Sequence, residues 1–244
     1  MRWYCRLWAL ASAMTAIWPS GNAAWAIELR DLQITIPSTL RSESRDLTDG
    51  SAPTVVTFAN EVFVDAVGGK IVWIATFEGC TDGALSIVYA PGGAQSASVG
   101  CKPVRQGTAS CWSEKSSQAR YTSQMSIAGD VVTLTGQMTG TGRYDVQGRD
   151  YKASDNTQFS VKQKLKLRIV GQTCQVLEVS QETREETIGT ISGRSGGNPT
   201  HTTTTTLITA GPGAKCTMAR RSAQAAESDT DDELQRFDGM CGDR

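Results

Sequence analysis

The sequence contains little that would support metal-dependent or histidine-dependent chemistry. Histidine occurs once, at His201. A site with two histidine ligands is therefore excluded, and any histidine-assisted nucleophile would depend on that single residue. No Cys-x-x-Cys pair is present, which removes support for thioredoxin-like redox chemistry and for a compact zinc knuckle. We predict neither a metal site nor a cofactor.

The chain also lacks a strong charge imbalance and a biased composition. It carries 24 basic and 25 acidic residues, for a net charge of −1. Bulk electrostatic binding of nucleic acid is not expected from such a chain, and we predict no nucleic-acid partner. With 7 prolines, 24 glycines and 39% hydrophobic residues in 244, the composition is typical of one globular domain.

The first 26 residues have the pattern of a secretory signal peptide. Arg2 and Arg6 precede an uncharged, mostly apolar run over 7–18, and Ala24 and Ala26 supply small residues at a cleavage site. The run is shorter than the about 20 residues that a membrane-spanning helix needs, which argues against an anchor or a buried N-terminal helix. We predict a signal peptide over 1–26, an exported protein (periplasmic or secreted), and no membrane span after cleavage.

Six cysteines follow this leader. Export and an even number of cysteines together favour structural disulfides. Sequence alone does not select the pairing, although Cys216 is the nearest candidate partner for Cys241. The disulfide candidates are Cys80, Cys101, Cys111, Cys174, Cys216 and Cys241.

Residues 27–218 are predicted to form one antiparallel β domain. Runs rich in Val, Ile, Thr and Tyr recur between glycine-containing turns such as Asp49-Gly50 and Gly129-Asp130. The pattern predicts an all-β fold of roughly ten strands, either an antiparallel β-sandwich or an up-and-down barrel. The predicted strands include 54–64, 71–77, 85–89, 131–138, 158–170, 174–179 and 202–209.

The clearest of these strands shows strict alternation over 161–169. Apolar residues (Val161, Leu165, Leu167, Ile169) share one face, and basic residues (Lys162, Lys164, Lys166, Arg168) share the other. A three-residue loop over 171–173 would bring acidic residues of the next strand opposite the lysines, whereas a two-residue loop would place Glu178 on the core side. We predict the longer loop and a solvated, charge-paired face rather than an anion-binding one. The opposed pairs would be Leu165–Val179, Leu167–Leu177, Lys166–Glu178 and Lys162–Glu182.

Residues 219–244 differ from the rest of the chain. This segment is polar and acidic, and Thr230 to Glu233 has the form of a capping box ahead of Leu234 and Phe237. We predict a short C-terminal helical tail, with the helix over 231–240.

Sequence motifs for nucleophilic, phosphate-binding or zinc-dependent catalysis are absent. His201 precedes five threonines, Thr202 to Thr206, and is predicted to be a surface or edge histidine rather than a general base. The threonines favour a strand and would also suit a flat hydroxyl face for a repetitive ligand.

A candidate binding cluster surrounds a predicted hairpin tip. Arg143-Tyr144-Asp145 and Arg149-Asp150-Tyr151 flank residues 146–148. Aromatic rings can stack on a sugar ring while Asp and Arg side chains orient its hydroxyls, and Trp112 or Tyr121 from another loop would complete such a surface. The candidate ligand-binding residues are Tyr144, Asp145, Arg149, Asp150, Tyr151 and Trp112.

Together these features favour an exported, non-catalytic binding module that recognises a glycan or an envelope protein partner. Two alternatives remain open. One is a carboxylate-based polysaccharide hydrolase, which would need two acidic side chains at glycosidase spacing in an open groove. The other is a structural or assembly protein that uses an exposed strand edge.

Overall fold

The computed structural model describes residues 32–67, 70–76, 84–89, 94–193 and 197–220. Strands occupy most of this part of the chain, and every pairing between them is antiparallel. The predicted all-β antiparallel fold is confirmed. The predicted signal peptide over 1–26 and the predicted helix over 231–240 lie outside the described residues. Among the residues described, no helix has the length and apolar character needed to cross a bilayer.

The strands vary in length from 6 to 21 residues. In chain order they are β1 (Leu32–Asp46), β2 (Thr54–Val67), β3 (Lys70–Thr76), β4 (Ala84–Tyr89), β5 (Ala94–Gly107), β6 (Trp112–Ala128), β7 (Val131–Gln147), β8 (Tyr151–Val170), β9 (Thr173–Gly193), β10 (Thr200–Ala210) and β11 (Lys215–Arg220).

The strand order is that of an up-and-down meander. Strands β5 to β10 lie side by side in chain order, β10 pairs with β1, and β1 to β4 continue the sheet. The two ends of the sheet are therefore β4 and β5, which follow each other along the chain. Since the connection from Tyr89 to Ala94 spans at most about 18 Å, these two ends lie close together, and β4 also contacts β6. The sheet therefore curls round on itself.

Strands β10 and β11 follow one another end to end in the same position of the sheet, and each pairs with both β1 and β9. Both run antiparallel to β1, with Thr209 of β10 opposite Thr39 and Thr217 of β11 opposite Thr35. The intervening residues 211–214 loop out, yet they remain bonded to β9: the Gly213 amide donates to the Val176 carbonyl at 2.8 Å. The two segments act as one interrupted strand.

One face of the sheet, here called the inner face, carries the hydrophobic core. On β6 the odd-numbered residues from 117 to 125 are buried and the even-numbered ones are exposed, as period-2 alternation requires. Complete burial of these side chains needs a second layer over the inner face, which the curled sheet supplies from its own strands. The largest fully buried side chains are Ile34, Ile36, Val64, Met125, Val132, Leu134, Leu165, Leu167 and Val176.

The core fills only one end of the strands, called the core end. Toward the other end, called the open end, hydroxylated residues lie on the inner face among larger side chains such as Val146, Phe159 and Ile191, and none of these side chains is fully buried. The open end consists of residues 39–46, 54–59, 112–118, 140–147, 151–160, 182–193 and 200–207. Hydroxyl pairs cross its strands at Ser42–Thr206 (3.2 Å), Ser44–Thr204 (3.2 Å) and Thr157–Thr187 (2.9 Å).

The β8–β9 hairpin closes with a two-residue turn. Val170 pairs with Thr173, which leaves Gly171 and Gln172 as the turn, with Gly171 at φ 59°. The predicted three-residue loop is therefore wrong. A left-handed first turn residue is favoured in two-residue hairpins because it matches the twist of the strands.

A β-bulge in β9 reconciles this short turn with the predicted outer pairs. The register shifts by one between Lys166 and Leu167, so that Leu177 is the extra residue on β9. Beyond the bulge, the predicted pairs Leu165–Val179, Lys166–Glu178 and Lys162–Glu182 are confirmed as opposed positions. Before the bulge, Leu167 faces Val176 and not Leu177 as predicted. The bulge keeps Glu178 off the core face.

The basic face of β8 is solvated and pairs with acidic residues in part. Lys164 Nζ lies 2.8 Å from Glu178 Oε2, and Arg168 Nε lies 3.2 Å from Asp130 Oδ2. The partner of Glu178 is thus the diagonal lysine and not Lys166 directly opposite. Such exposed pairs contribute little to stability.

The second predicted charge pair is not formed as an ion pair. Glu182 lies opposite Lys162, but its carboxylate binds Arg184 of its own strand. Arg184 is two residues away on the same face of β9, which makes it a nearer partner than a lysine on β8.

A disulfide joins Cys174 of β9 to Cys216 of β11, with Cα atoms 5.2 Å apart. It fastens the C-terminal half of the interrupted strand to the core end. The sequence suggested Cys216 as the partner of Cys241, and this pairing is wrong because Cys216 is bonded to Cys174. Cys241 and Cys80 lie outside the described residues. Cys111 is also disulfide-bonded.

Candidate functional site

A depression of about 300 Å³ lies on the outer face at the open end. Strands β6 to β9 form its floor, and most of its lining side chains are polar. Here it is called the Trp112 depression. Its lining residues are Trp112, Asp145, Val146, Gln147, Lys152, Ala153, Ser154, Thr190 and Ser192.

Strand register explains why these residues meet. Trp112 lies opposite Gln147, which in turn lies opposite Lys152, and Lys152 lies opposite Ser192. The next row toward the core carries Asp145, Ser154 and Thr190 in the same way. Because side chains alternate between faces, these seven residues project from the outer face, whereas Val146 and Ala153 belong to the inner face.

Trp112 is the aromatic residue of this depression. The guanidinium carbon of Arg105 lies 4.4 Å from the centroid of its ring, so one ring face is stacked on a cation. Directly opposite Trp112 on β5 is Gly107, at φ 102°. A Cβ on Gly107 would lie 2.9 Å from the Trp112 Cα atom, so this position requires glycine.

Asp145 is held by a two-point ion pair. Arg143 donates from Nε to Oδ2 at 2.6 Å and from Nη2 to Oδ1 at 3.1 Å. These hydrogen bonds lower the pKa of the Asp145 carboxyl, against a smaller opposing effect of burial. Asp145 is therefore a fixed, ionised hydrogen-bond acceptor in the wall of the depression.

The structure brings together two of the six candidate ligand-binding residues, Trp112 and Asp145. Tyr144 and Tyr151 lie on the inner face, where Lys115 Nζ is 5.0 Å from the Tyr144 ring and Tyr151 lies across Gly148. The amide of Gly148 donates to the Tyr151 carbonyl at 2.9 Å.

The hairpin tip lies later in the chain than the sequence suggested. Gln147 still pairs with Lys152 and the Gly148 amide bonds to the Tyr151 carbonyl, so the tip of the turn lies after residues 146–147, at Arg149 and Asp150. Arg149 and Asp150 are exposed in this turn and do not line the depression.

Sequence reasoning missed several lining residues. Lys152, Ser154, Thr190 and Ser192 carry no motif, and only their cross-strand positions place them beside Trp112. The alternation of faces was nevertheless readable in the sequence, since Asp145 and its neighbour Tyr144 must point to opposite sides of a strand. This alternation places the tyrosine on the opposite face of the strand from the aspartate, so the two side chains do not face the same depression.

His201 is a surface residue of the outer face. Its Nε2 lies 2.7 Å from Glu186 Oε1, and its backbone amide donates to Thr48 Oγ1 at 2.8 Å. Its strand, β10, lies between β1 and β9, so the histidine is not on a sheet edge. In the described part of the chain, no group of three or more His, Cys, Asp and Glu residues is arranged to hold a metal ion.

Comparison with known proteins identifies no family. No protein-family model, curated protein or solved structure matches this chain. Its function is therefore inferred from the geometry of its own residues.

Proposed function

We propose that this protein is an exported, non-catalytic binding module whose ligand is a glycan, and that the Trp112 depression is its binding site. The observation that carries the proposal is the position of Trp112 beside the ion-paired Asp145 in one depression. A protein partner at the same surface is the second candidate.

The chemistry of the lining supports a sugar as the ligand. A pyranose presents an apolar face of C–H groups and a rim of hydroxyls. Trp112 offers an aromatic surface for the first, and Asp145, Gln147 and Lys152 offer hydrogen-bond acceptors and donors for the second. A volume of about 300 Å³ is at the lower end of the range for small-molecule sites.

The state of Asp145 favours binding over hydrolysis. A glycosidase needs one carboxyl group whose pKa is raised so that it can protonate the leaving oxygen. The pKa of Asp145 is instead lowered by Arg143. This carboxylate is suited to accepting hydrogen bonds from hydroxyls and not to donating a proton.

Export is supported by the covalent chemistry of the fold. The Cys174–Cys216 disulfide joins two strands near the buried core, which is typical of proteins from oxidising compartments. With the sequence pattern of residues 1–26, it favours a periplasmic or secreted location.

The proposal is tested by screening the purified, oxidised protein against an array of glycans and measuring the affinity for each hit by isothermal titration calorimetry. We expect Trp112→Ala to weaken binding by tenfold or more, an effect of about 1.4 kcal/mol or more, and Trp112→Phe to retain part of the affinity. Arg149→Ala, in the exposed turn beside the depression, is the matched control and should bind as the wild type does.

Three results would contradict the proposal. They are an array without saturable binding, binding that Trp112→Ala leaves unchanged, and turnover of a glycan that a single Asp or Glu substitution abolishes. The last would establish the hydrolase alternative instead.

A further inference from the structure

A second polar site lies on the inner face of the open end, on the opposite side of the sheet from the Trp112 depression. Its floor is the buried Gly189 of β9, which has no side chain. Asp155 of β8 lies directly opposite Gly189 on one side, and Thr200 of β10 lies opposite it on the other. Here it is called the Gly189 cradle.

Two oxygen atoms converge over this glycine. A Cβ atom on Gly189 would overlap Thr200 Oγ1 and would lie 2.6 Å from Asp155 Oδ1. The hydrogen-bonded hydroxyls of Thr157 and Thr187 lie one row further toward the core, at 2.9 Å from each other. The cradle is thus surrounded by one carboxylate and three hydroxyls.

The carboxylate of Asp155 has no protein partner. No hydrogen bond or ion pair of Asp155 is formed with any residue in the described part of the chain, although the side chain is half-buried. The nearest charged side chain along its row is Lys115, which stacks over Tyr144, and Glu185 lies on the same face of β9. Burial raises the pKa of the Asp155 carboxyl because it disfavours the ionised form.

We propose that the Gly189 cradle binds a primary ammonium group carried by a sugar, with Asp155 as the counter-ion and Thr200 as a hydrogen-bond acceptor. An ammonium group has three N–H donors and no acceptor, so it can donate hydrogen bonds to both converging oxygens and still have a third donor for another group. The hydroxyls of Thr157 and Thr187 would bind the hydroxyls of the same ligand. This site is separate from the Trp112 depression and does not depend on the function proposed for it.

The test compares glucosamine with N-acetylglucosamine, which share a ring but differ in charge at one nitrogen. Calorimetric titrations at about pH 6, where an aliphatic amine is protonated, are expected to show glucosamine binding at least about tenfold more tightly. The ¹³C resonance of the Asp155 carboxylate should move on addition of glucosamine.

Two variants test whether glucosamine binds at the Gly189 cradle. Asp155→Asn should abolish the preference for glucosamine, and Gly189→Ala should weaken its binding because the new methyl group fills the floor. The atoms that this methyl group meets are side-chain ends that can rotate away, so the variant should fold. Gly100→Ala, on β5 and away from the cradle, is the matched control, since a Cβ there meets nothing closer than 3.8 Å.

Equal affinity for the two sugars, no saturable binding of glucosamine, or a preference that survives in Asp155→Asn would each overturn the proposal. Trp112→Ala separates the two sites. It should leave the glucosamine preference intact, so failure of the cradle and failure of the Trp112 depression give different results.

Discussion

Arg143 and Asp145 are two residues apart on one strand, and their side chains form a two-point ion pair on the outer face. The alternation of the strand places both on the same side and leaves Tyr144 between them on the other. This relationship fixes the carboxylate at the edge of the Trp112 depression, and it makes a prediction about acid sensitivity.

Arg143→Ala is expected to raise the pKa of Asp145 toward its ordinary value, because the hydrogen bonds from Arg143 are the main cause of its lowering. A lowered pKa in the folded state gives stability that is present above the pKa of the unfolded chain and is lost as pH falls through the folded value. The variant should therefore have a lower Tm than the wild type at about pH 7 and the same Tm at about pH 2. Carboxyl ¹³C titration measures the pKa directly, and an unchanged value would contradict this account.

Asp155→Asn is expected to act in the opposite sense. The pKa of Asp155 is raised by burial, so its ionisation destabilises the folded state as pH rises above the ordinary pKa. Removal of the charge should raise the Tm at about pH 7 and have little effect at about pH 3. Differential scanning calorimetry at both values tests this, with Asp150→Asn in the exposed turn as the control. A lower Tm at neutral pH would mean that Asp155 has a stabilising partner.

Loss of the Cys174–Cys216 disulfide should destabilise the protein substantially. The bond closes a loop of 42 residues in the sequence, and the chain-entropy model gives about 4 kcal/mol for a loop of this size. We expect the Cys174→Ala, Cys216→Ala double variant to unfold at a lower urea concentration, with hydrogen exchange fastest in β11. An unchanged urea midpoint would show that β11 is held by its strand pairing alone.

The two ends of the sheet should respond differently to truncation of apolar side chains. Leu165 at the core end is fully buried, and Leu165→Ala should cost about 2–5 kcal/mol in the free energy of unfolding. Phe58, on the inner face of β2 at the open end, is 52% exposed, and Phe58→Ala should cost about 0.5 kcal/mol or less. Urea denaturation of both variants gives the comparison. Similar losses would mean that Phe58 is covered in solution.

Strands with apolar inner positions could be predicted from the sequence. The alternation of Val161, Leu165, Leu167 and Ile169 predicted the second half of β8, whereas the first half, from Tyr151 to Thr157, was not predicted. The reason is physical: at the open end the inner face carries alanine, aspartate and threonine, so no hydrophobic period marks the strand. The same holds for β6, whose inner positions include serines.

Register and the site were harder to predict than the fold. Because of the one-residue bulge at Leu177, the turn has two residues instead of the predicted three, while Lys166 still faces Glu178 and Lys162 still faces Glu182. No pattern in a single sequence indicates such a bulge. Lys152 and Thr190 reach the Trp112 depression only through the register of β7, β8 and β9. Trp112 and Asp145 were predicted because their chemistry is conspicuous, but their proximity depends on strand pairing across 33 residues of sequence.

The pairing of β1 with β10 also has a kinetic consequence. Residues that face each other there, such as Thr39 and Thr209, are far apart in sequence, so β1 acquires its second neighbour only after β10 has emerged. Long-range β pairings of this kind close slowly, on a scale of about milliseconds to seconds. Because Cys216 lies in β11, the last strand that the structure describes, the Cys174–Cys216 bond can form only after every described strand has been synthesised.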